Sequence, residues 1–281
     1  MFSSINQVLF PTDFSENAKK ALPYAAEIAY QTDAKLTLFH ASQEPMYLAP
    51  NFDEVRKQTV QKTDRLFNQL IDELQEDDRF KKLNISTVLQ LGQPVTGLLE
   101  YARQSKAGLI VMGTKGATGS RNIMLGSVAT SVVKKSGVPT LTVPHESSFD
   151  GLKKITFTTD FKETDWTALE QTIELARLFG STVDVLHITE NRGFKDDLKC
   201  RGFRDLITEK SDYENISFSV VRESDFFPGA ADYIAEHESS LMVMVRYKKS
   251  FWENISQRSH SKEMAFYSTV PLLIIPGNEN S

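Results

Sequence analysis

The sequence predicts an α/β protein made of two doubly wound domains in tandem, each a five-stranded parallel sheet flanked by helices. Two observations predict it. Residues 8–41 align without a gap on residues 155–188, so that Asp13 pairs with Asp160, Phe14 with Phe161 and His40 with His187. Within each copy, short apolar runs alternate with stretches of helical periodicity, and strands separated by helical crossovers favour a parallel sheet with right-handed connections.

The elements of the first copy follow in order. Residues 6–11 form a short apolar strand, and Ser15 after it can cap a helix by accepting from free backbone N–H groups. Ala18, Leu22, Ala25, Ala26 and Ala29 then fall on one helical face. A strand over 35–41 precedes a long helix near 53–76, whose apolar stripe is read as Val55, Leu66, Leu70 and Leu74. A strand at 85–91, a helix at 95–105, a buried strand at 109–113, a helix at 127–135 and a last strand at 138–143 complete the order βαβαβαβαβ. The copies also end alike, GVPTLTVP at 137–144 resembling TVPLLIIP at 269–276. The second copy is shorter between its second and third strands, so its second helix, near 195–210, must be abbreviated. The polar stretch HESSFDG at 145–151 reads as the linker, which places the domains at residues 1–147 and 148–281.

Composition narrows the function. A chain of 281 residues with 40% hydrophobic and 25% charged residues has the length for two cores. No apolar run reaches the roughly 20 residues of a membrane helix, and the opening MFSSINQVLF carries neither basic region nor cleavage site. No membrane association and a cytoplasmic location are therefore expected. The lone Cys200 permits neither an internal disulfide nor a cysteine metal site. A net charge of -5 argues against general nucleic-acid binding. The charge is uneven: residues 1–147 hold 16 Lys and Arg against 15 Asp and Glu, leaving 16 against 22 in the rest. A small polyanion is better tolerated by the first half.

In a doubly wound sheet, ligands bind beyond the carboxyl ends of the strands, where the winding reverses. Two segments belong there: PTDFS, residues 11–15, and MGTKGATGSRNIMLGSVATS, residues 112–131. The second carries Gly113, Gly116, Gly119 and Gly126, and glycines let backbone N–H groups turn toward an anion. Ser127 and Val128 open a helix whose unpaired N–H groups favour phosphate. Lys115 and Arg121 are within reach of a phosphate, although the backbone cradle needs neither. The loop lacks the Gly-Lys-Ser/Thr of a Walker A motif, so P-loop hydrolysis is not transferred to it.

Gly113, Gly116, Gly126 and Ser127 are spaced as glycine, two residues, glycine, nine residues, glycine-serine. With VMG before them, PTDFS and the strand ending LFHA, the chain resembles the universal stress protein family over both halves. The resemblance implies a Rossmann-like fold of the adenine nucleotide alpha hydrolase type, and ATP (or ADP or AMP, with magnesium accompanying it) as the ligand. It implies that Asp13 and the backbone around Thr12 and Ala41, flanked by Pro11 and Met112, meet adenine and ribose. Gly113 and Gly116 line the phosphate loop, and Gly126, Ser127 and Val128 hold the terminal phosphates. It also implies pairing through the apolar last strands, as an internal pseudo-dimer of the two domains and as a homodimer.

The second copy departs from this pattern. Its VMVRYKKSFWENISQRSHSKE is aligned with Arg246 and Lys249 at the places of Gly113 and Gly116, Phe251 and Trp252 following and Arg258 replacing Gly126 ahead of Ser259. Bulk there blocks a phosphate, although Arg246, Lys248 and Lys249 form a cationic cluster. His40 and His187 at matching strand ends suit packed, hydrogen-bonded histidines better than metal ligands. Asp13 is open to a simpler reading as a helix cap, and Asp160 is given that role alone. The function read from these residues is an ATP-binding stress regulator. No general base, arginine finger or metal-binding carboxylate pair is evident, so enzymatic activity is expected to be weak or absent. The alternatives are a scaffold without nucleotide and a slow ATPase or self-phosphorylating protein. A phosphorelay receiver fits poorly, since Leu91, Gly92 and Gln93 stand where its acceptor aspartate belongs.

Overall fold

The computed structural model describes residues 2, 5–42, 52–114, 126–191, 193–247 and 270–277. The chain divides into two compact units, residues 4–145 and residues 146–281 together with 1–3.

In the N-terminal unit, the parallel strands β1 (Gln7–Pro11), β2 (Lys35–Ser42), β3 (Ile85–Leu91), β4 (Leu109–Gly113) and β5 (Thr140–Val143) lie in the order β3-β2-β1-β4-β5. All five residues of β4 and all four of β5 are buried, as the near-continuous apolar runs of a sheet covered on both faces require. Strand β5 starts two residues later than the apolar run, because Pro139 supplies only its carbonyl, to the Ile110 N–H.

The first helix is divided. α1 (Glu16–Lys19) ends at Lys20 and α2 (Leu22–Gln31) starts anew with a proline in its first turn. Pro23 has no N–H to return to the carbonyl of Lys19, so the helix that the alanine periodicity predicts is interrupted there. In α3 (Phe52–Gln75) the buried face runs through Thr59, Thr63, Phe67, Leu70 and Leu74. Leu66 lies beside that face rather than on it, half-exposed. A 3-10 turn (Asp78–Lys82), α4 (Pro94–Gln104) and α5 (Ser127–Lys135) complete the unit.

The second unit holds β6 (Lys154–Thr158), α6 (Glu163–Phe179), β7 (Thr182–Thr189), α7 (Phe194–Lys210), β8 (Ile216–Arg222), α8 (Phe226–His237), β9 (Leu241–Arg246) and β10 (Leu272–Pro276). Its parallel strands lie in the order β8-β7-β6-β9-β10. α7 has 17 residues where α3 has 24, the shortening that the smaller spacing predicts. Without a proline, α6 continues where the first copy breaks, and it ends on Gly180 in the left-handed conformation.

Candidate functional site

The winding of the N-terminal unit reverses between β1 and β4. The carboxyl ends of those strands present Pro11, Thr12 and Asp13 on one side and Met112 and Gly113 on the other. Ala41 lies near the end of the neighbouring β2. The Gly126 N–H donates to the Thr114 carbonyl at 2.6 Å. That bond returns the chain to the end of β4 and sets Ser127 and Val128, both exposed, at the head of α5. Gly116 lies outside the described residues, as do Lys115, Gly119 and Arg121.

The Asp13 turn has an unusual backbone. Phe14 has φ 62°, in the left-handed region that a bulky residue rarely adopts. Three bonds to Thr12 brace the turn: its N–H donates to the Phe39 carbonyl at 2.8 Å, its Oγ accepts from the Phe14 N–H at 2.9 Å, and its carbonyl accepts from His40 Nδ1 at 2.8 Å. The Phe14 ring packs on His40 and on Phe67, with centroids 4.7 and 5.1 Å away. The packed, hydrogen-bonded histidine predicted from sequence is what the structure holds, with Nδ1 as donor because a carbonyl only accepts. Phe67 is the residue of this site that sequence reasoning missed, although it continues the i, i+4 series from Thr59 and Thr63.

Asp13 does not cap the helix; Ser15 does, accepting from the Ala18 N–H at 3.2 Å. The exposed Asp13 carboxylate instead accepts from the Ser15 hydroxyl at 2.6 Å and the Ser15 N–H at 3.1 Å. These two bonds within its own turn help to fix its orientation at the rim.

Gly113 has a packing role beside its place at the rim. It has no positive φ, and neither has Gly126, at φ -60°. What Gly113 supplies is room for protein. A Cβ there would lie 2.9 Å from the backbone oxygen of Asn17 and 3.4 Å from the Cα of Ala18. The glycine lets α1, and with it the Asp13 turn, settle against the end of β4.

The second unit repeats the turn without the rest. Phe161 has φ 56°, its ring packs on His187 at 4.7 Å, and His187 Nδ1 donates to the Thr159 carbonyl at 2.7 Å. The sheet register, however, shifts the sequence alignment by one residue. Val8 faces Leu109 and its counterpart Ile155 faces Leu241, so Val245, not Arg246, occupies the place of Gly113. Nor does Asp160 cap α6. Asp165, in the first turn of α6 and fully buried, reaches back instead: its Oδ2 accepts from the Thr159 hydroxyl at 2.7 Å and from the N–H groups of Asp160 and Lys162 at 3.1 Å. Burial pushes the Asp165 carboxyl above the usual carboxylate range against the pull of those donors. Asp160 pairs with Lys162 at 3.7 Å, and the Lys162 ammonium stands 3.7 Å from the centroid of the Tyr247 ring. Burial lowers the Arg246 guanidinium below its usual value. Lys248, Lys249, Phe251, Trp252, Arg258 and Ser259 lie outside the described residues.

A family model described as "Universal stress protein family" matches residues 4–144, the N-terminal unit and half of the chain. The chain belongs to the universal stress protein family. A universal stress protein of Bacillus subtilis is 29% identical over 149 residues, covering 49% of this chain and 98% of that protein. One from Methanocaldococcus jannaschii is 31% identical over 144 residues, covering 49% and 81%. The crystal structure of a universal stress protein from Archaeoglobus fulgidus matches at a TM-score of 0.73 over 98% of both chains with 20% identity, so the likeness is one of fold. Family matches the size of one domain and a fold match across the whole length describe a tandem universal stress protein. Among the described residues no group of three or more His, Cys, Asp and Glu is placed to hold a metal, and no helix is long and apolar enough to cross a membrane.

Proposed function

We propose that the N-terminal unit binds an adenine nucleotide, ATP foremost with its magnesium, and that the protein is a cytoplasmic stress regulator switched by that ligand. The observation that supports this reading is the convergence at the β1/β4 reversal. An oriented carboxylate, Asp13, stands across from a helix head, Ser127 and Val128, that a short bond folds back onto β4. A carboxylate is suited to ribose hydroxyls, and N–H groups at a helix start are suited to phosphates. The proposed site comprises Pro11, Thr12, Asp13, Ala41, Met112, Gly113, Gly116, Gly126, Ser127 and Val128. Val245, Asp165 and the Lys162–Asp160 pair support assigning the nucleotide to residues 1–147 and not to 148–281.

Isothermal titration of the full chain with Mg-ATP tests the proposal, with about one site per chain expected. Ser127→Asp is the variant of choice, because a carboxylate in the first turn favours α5 while repelling phosphate. It should weaken binding about tenfold or more at unchanged thermal stability. No saturable binding of ATP, ADP or AMP at millimolar concentration, and no rise in melting temperature with any of them, would refute the reading. The homodimer that the family resemblance implies is tested by sedimentation, a purely monomeric chain refuting it.

A further inference from the structure

The Asp13 turn is held by a residue outside the proposed nucleotide contacts. Thr12–Ser15 contains a phenylalanine at positive φ, and such a conformation persists only where its surroundings over-determine it. His40 contributes twice: its Nδ1–H pins the Thr12 carbonyl at 2.8 Å, and its ring is a wall against Phe14. Thr12 in turn accepts the Phe14 N–H, and the carboxylate of Asp13 points where Ser15 holds it. His40 reaches this turn from β2, a separate strand, so it can fix the position of Asp13 relative to the sheet.

We infer that His40 is a positioning residue of the nucleotide site, setting the strained turn from which Asp13 meets the ligand. The inference rests on the nucleotide reading above. The same clasp recurs at His187, where the Thr159 carbonyl accepts at 2.7 Å and Phe161 has φ 56°. There Asp160 is engaged by Lys162 and the register puts Val245 in the place of Gly113. The fold uses the clasp in both units, and on the nucleotide reading only the first unit has a ligand for its carboxylate to meet. His187 is therefore an internal control for the purely structural contribution.

Three variants of the full chain decide the matter. His40→Leu removes the donor, His40→Asn keeps an N–H close to the place of Nδ1, and His187→Leu removes the equivalent bond in the other unit. Titration with Mg-ATP should show His40→Leu weakened about tenfold, the worth of one hydrogen bond, with His40→Asn restoring most of the loss and His187→Leu binding as the parent does. Equal losses in His40→Leu and His187→Leu, or no rescue by His40→Asn, would overturn the positioning role. Amide hydrogen exchange without ligand separates this from the parent reading. Faster exchange at Phe14 in His40→Leu, recovered in His40→Asn, supports the clasp even where the parent chain binds no ATP, whereas unchanged exchange at Phe14 overturns it.

Discussion

Gly113→Ala tests the claim that this glycine is required for the packing of α1 against the end of β4. The new methyl would stand 2.9 Å from the Asn17 oxygen and 3.4 Å from the Asn17 carbonyl carbon and the Ala18 Cα, all backbone atoms. Backbone cannot step aside as a flexible side chain does, so α1 must retreat by several tenths of an ångström. α1 has little freedom to do so, tied by the Ser15 cap at one end and closing on Lys20 at the other. Overpacking of this kind costs about 1–3 kcal/mol. The lower chain entropy of alanine in the unfolded state returns roughly 0.4–1 kcal/mol. A net loss of about 1–2 kcal/mol remains, which for a unit of this size lowers its melting temperature by roughly 3–7 °C. Hydrogen exchange on peptides from β1 and β4, followed as a function of denaturant, localises the loss to the N-terminal unit. Gly137→Ala is the matched control, because nothing lies within 4 Å of a Cβ at that position. If Gly113→Ala proved as stable as Gly137→Ala, the packing argument would fail.

Two further outcomes follow from the second unit. Gly202 lies within α7, exposed, with open space around a Cβ, so Gly202→Ala should stabilise that unit by roughly 0.5–1 kcal/mol through helix propensity; denaturant titration showing no gain would mean that α7 is not helical there. The raised carboxyl of Asp165 favours the folded state fully only below the pKa of the unfolded chain, and that contribution is lost as pH rises through the folded pKa. Asp165→Asn carries no such proton. The stability difference between the two proteins should therefore move in favour of the variant as pH is raised from about 4 toward neutrality, and a difference flat in pH would exclude a buried, proton-linked Asp165.

Most of the sheet was legible because buried parallel strands are short, apolar and bounded by polar turns: β3, β4 and α5 begin and end where the pattern places them. What escaped depended on contacts distant in sequence or on a residue behaving against type. Gly113 meets residues 17 and 18, nearly a hundred positions earlier, and nothing in the loop around it records that contact. Thr59 and Thr63 are polar by type yet buried, and they mark the face of α3 that carries Phe67 to the Asp13 turn. Hydrogen-bonded pairing sets the register of a strand, and it matches LIVMG at 109–113 with LMVMV at 241–245, which puts Val245 and not Arg246 at the place of Gly113. An aspartate in a helix's first turn ordinarily reads as a solvated acid favoured by the dipole, which concealed a wholly buried Asp165.

Restoring glycines alone would not turn the second unit into a copy of the first. Alignment sets Asp165 at the place of Ala18, and the register sets Val245 at the place of Gly113, so both sides of the contact that seats α1 have changed. In the second unit the turn is also held from a further direction. In the N-terminal unit Ser15 donates to Asp13 beside the Thr12–His40 clasp, and Thr159 and His187 repeat that clasp in the other. In the other unit the Asp160 and Lys162 N–H groups are drawn down onto a helical carboxylate, and Asp160 is left to pair with Lys162. Residues in one packed and hydrogen-bonded cluster do not act additively. A Val245→Gly change would therefore open a cavity beside α6 without producing the approach that Gly113 permits. The features kept in both units, the histidine clasp and the positive φ before the helix, belong to the fold itself. Those kept only in the first, the seated α1 and the oriented Asp13, are the ones that the proposed nucleotide binding requires.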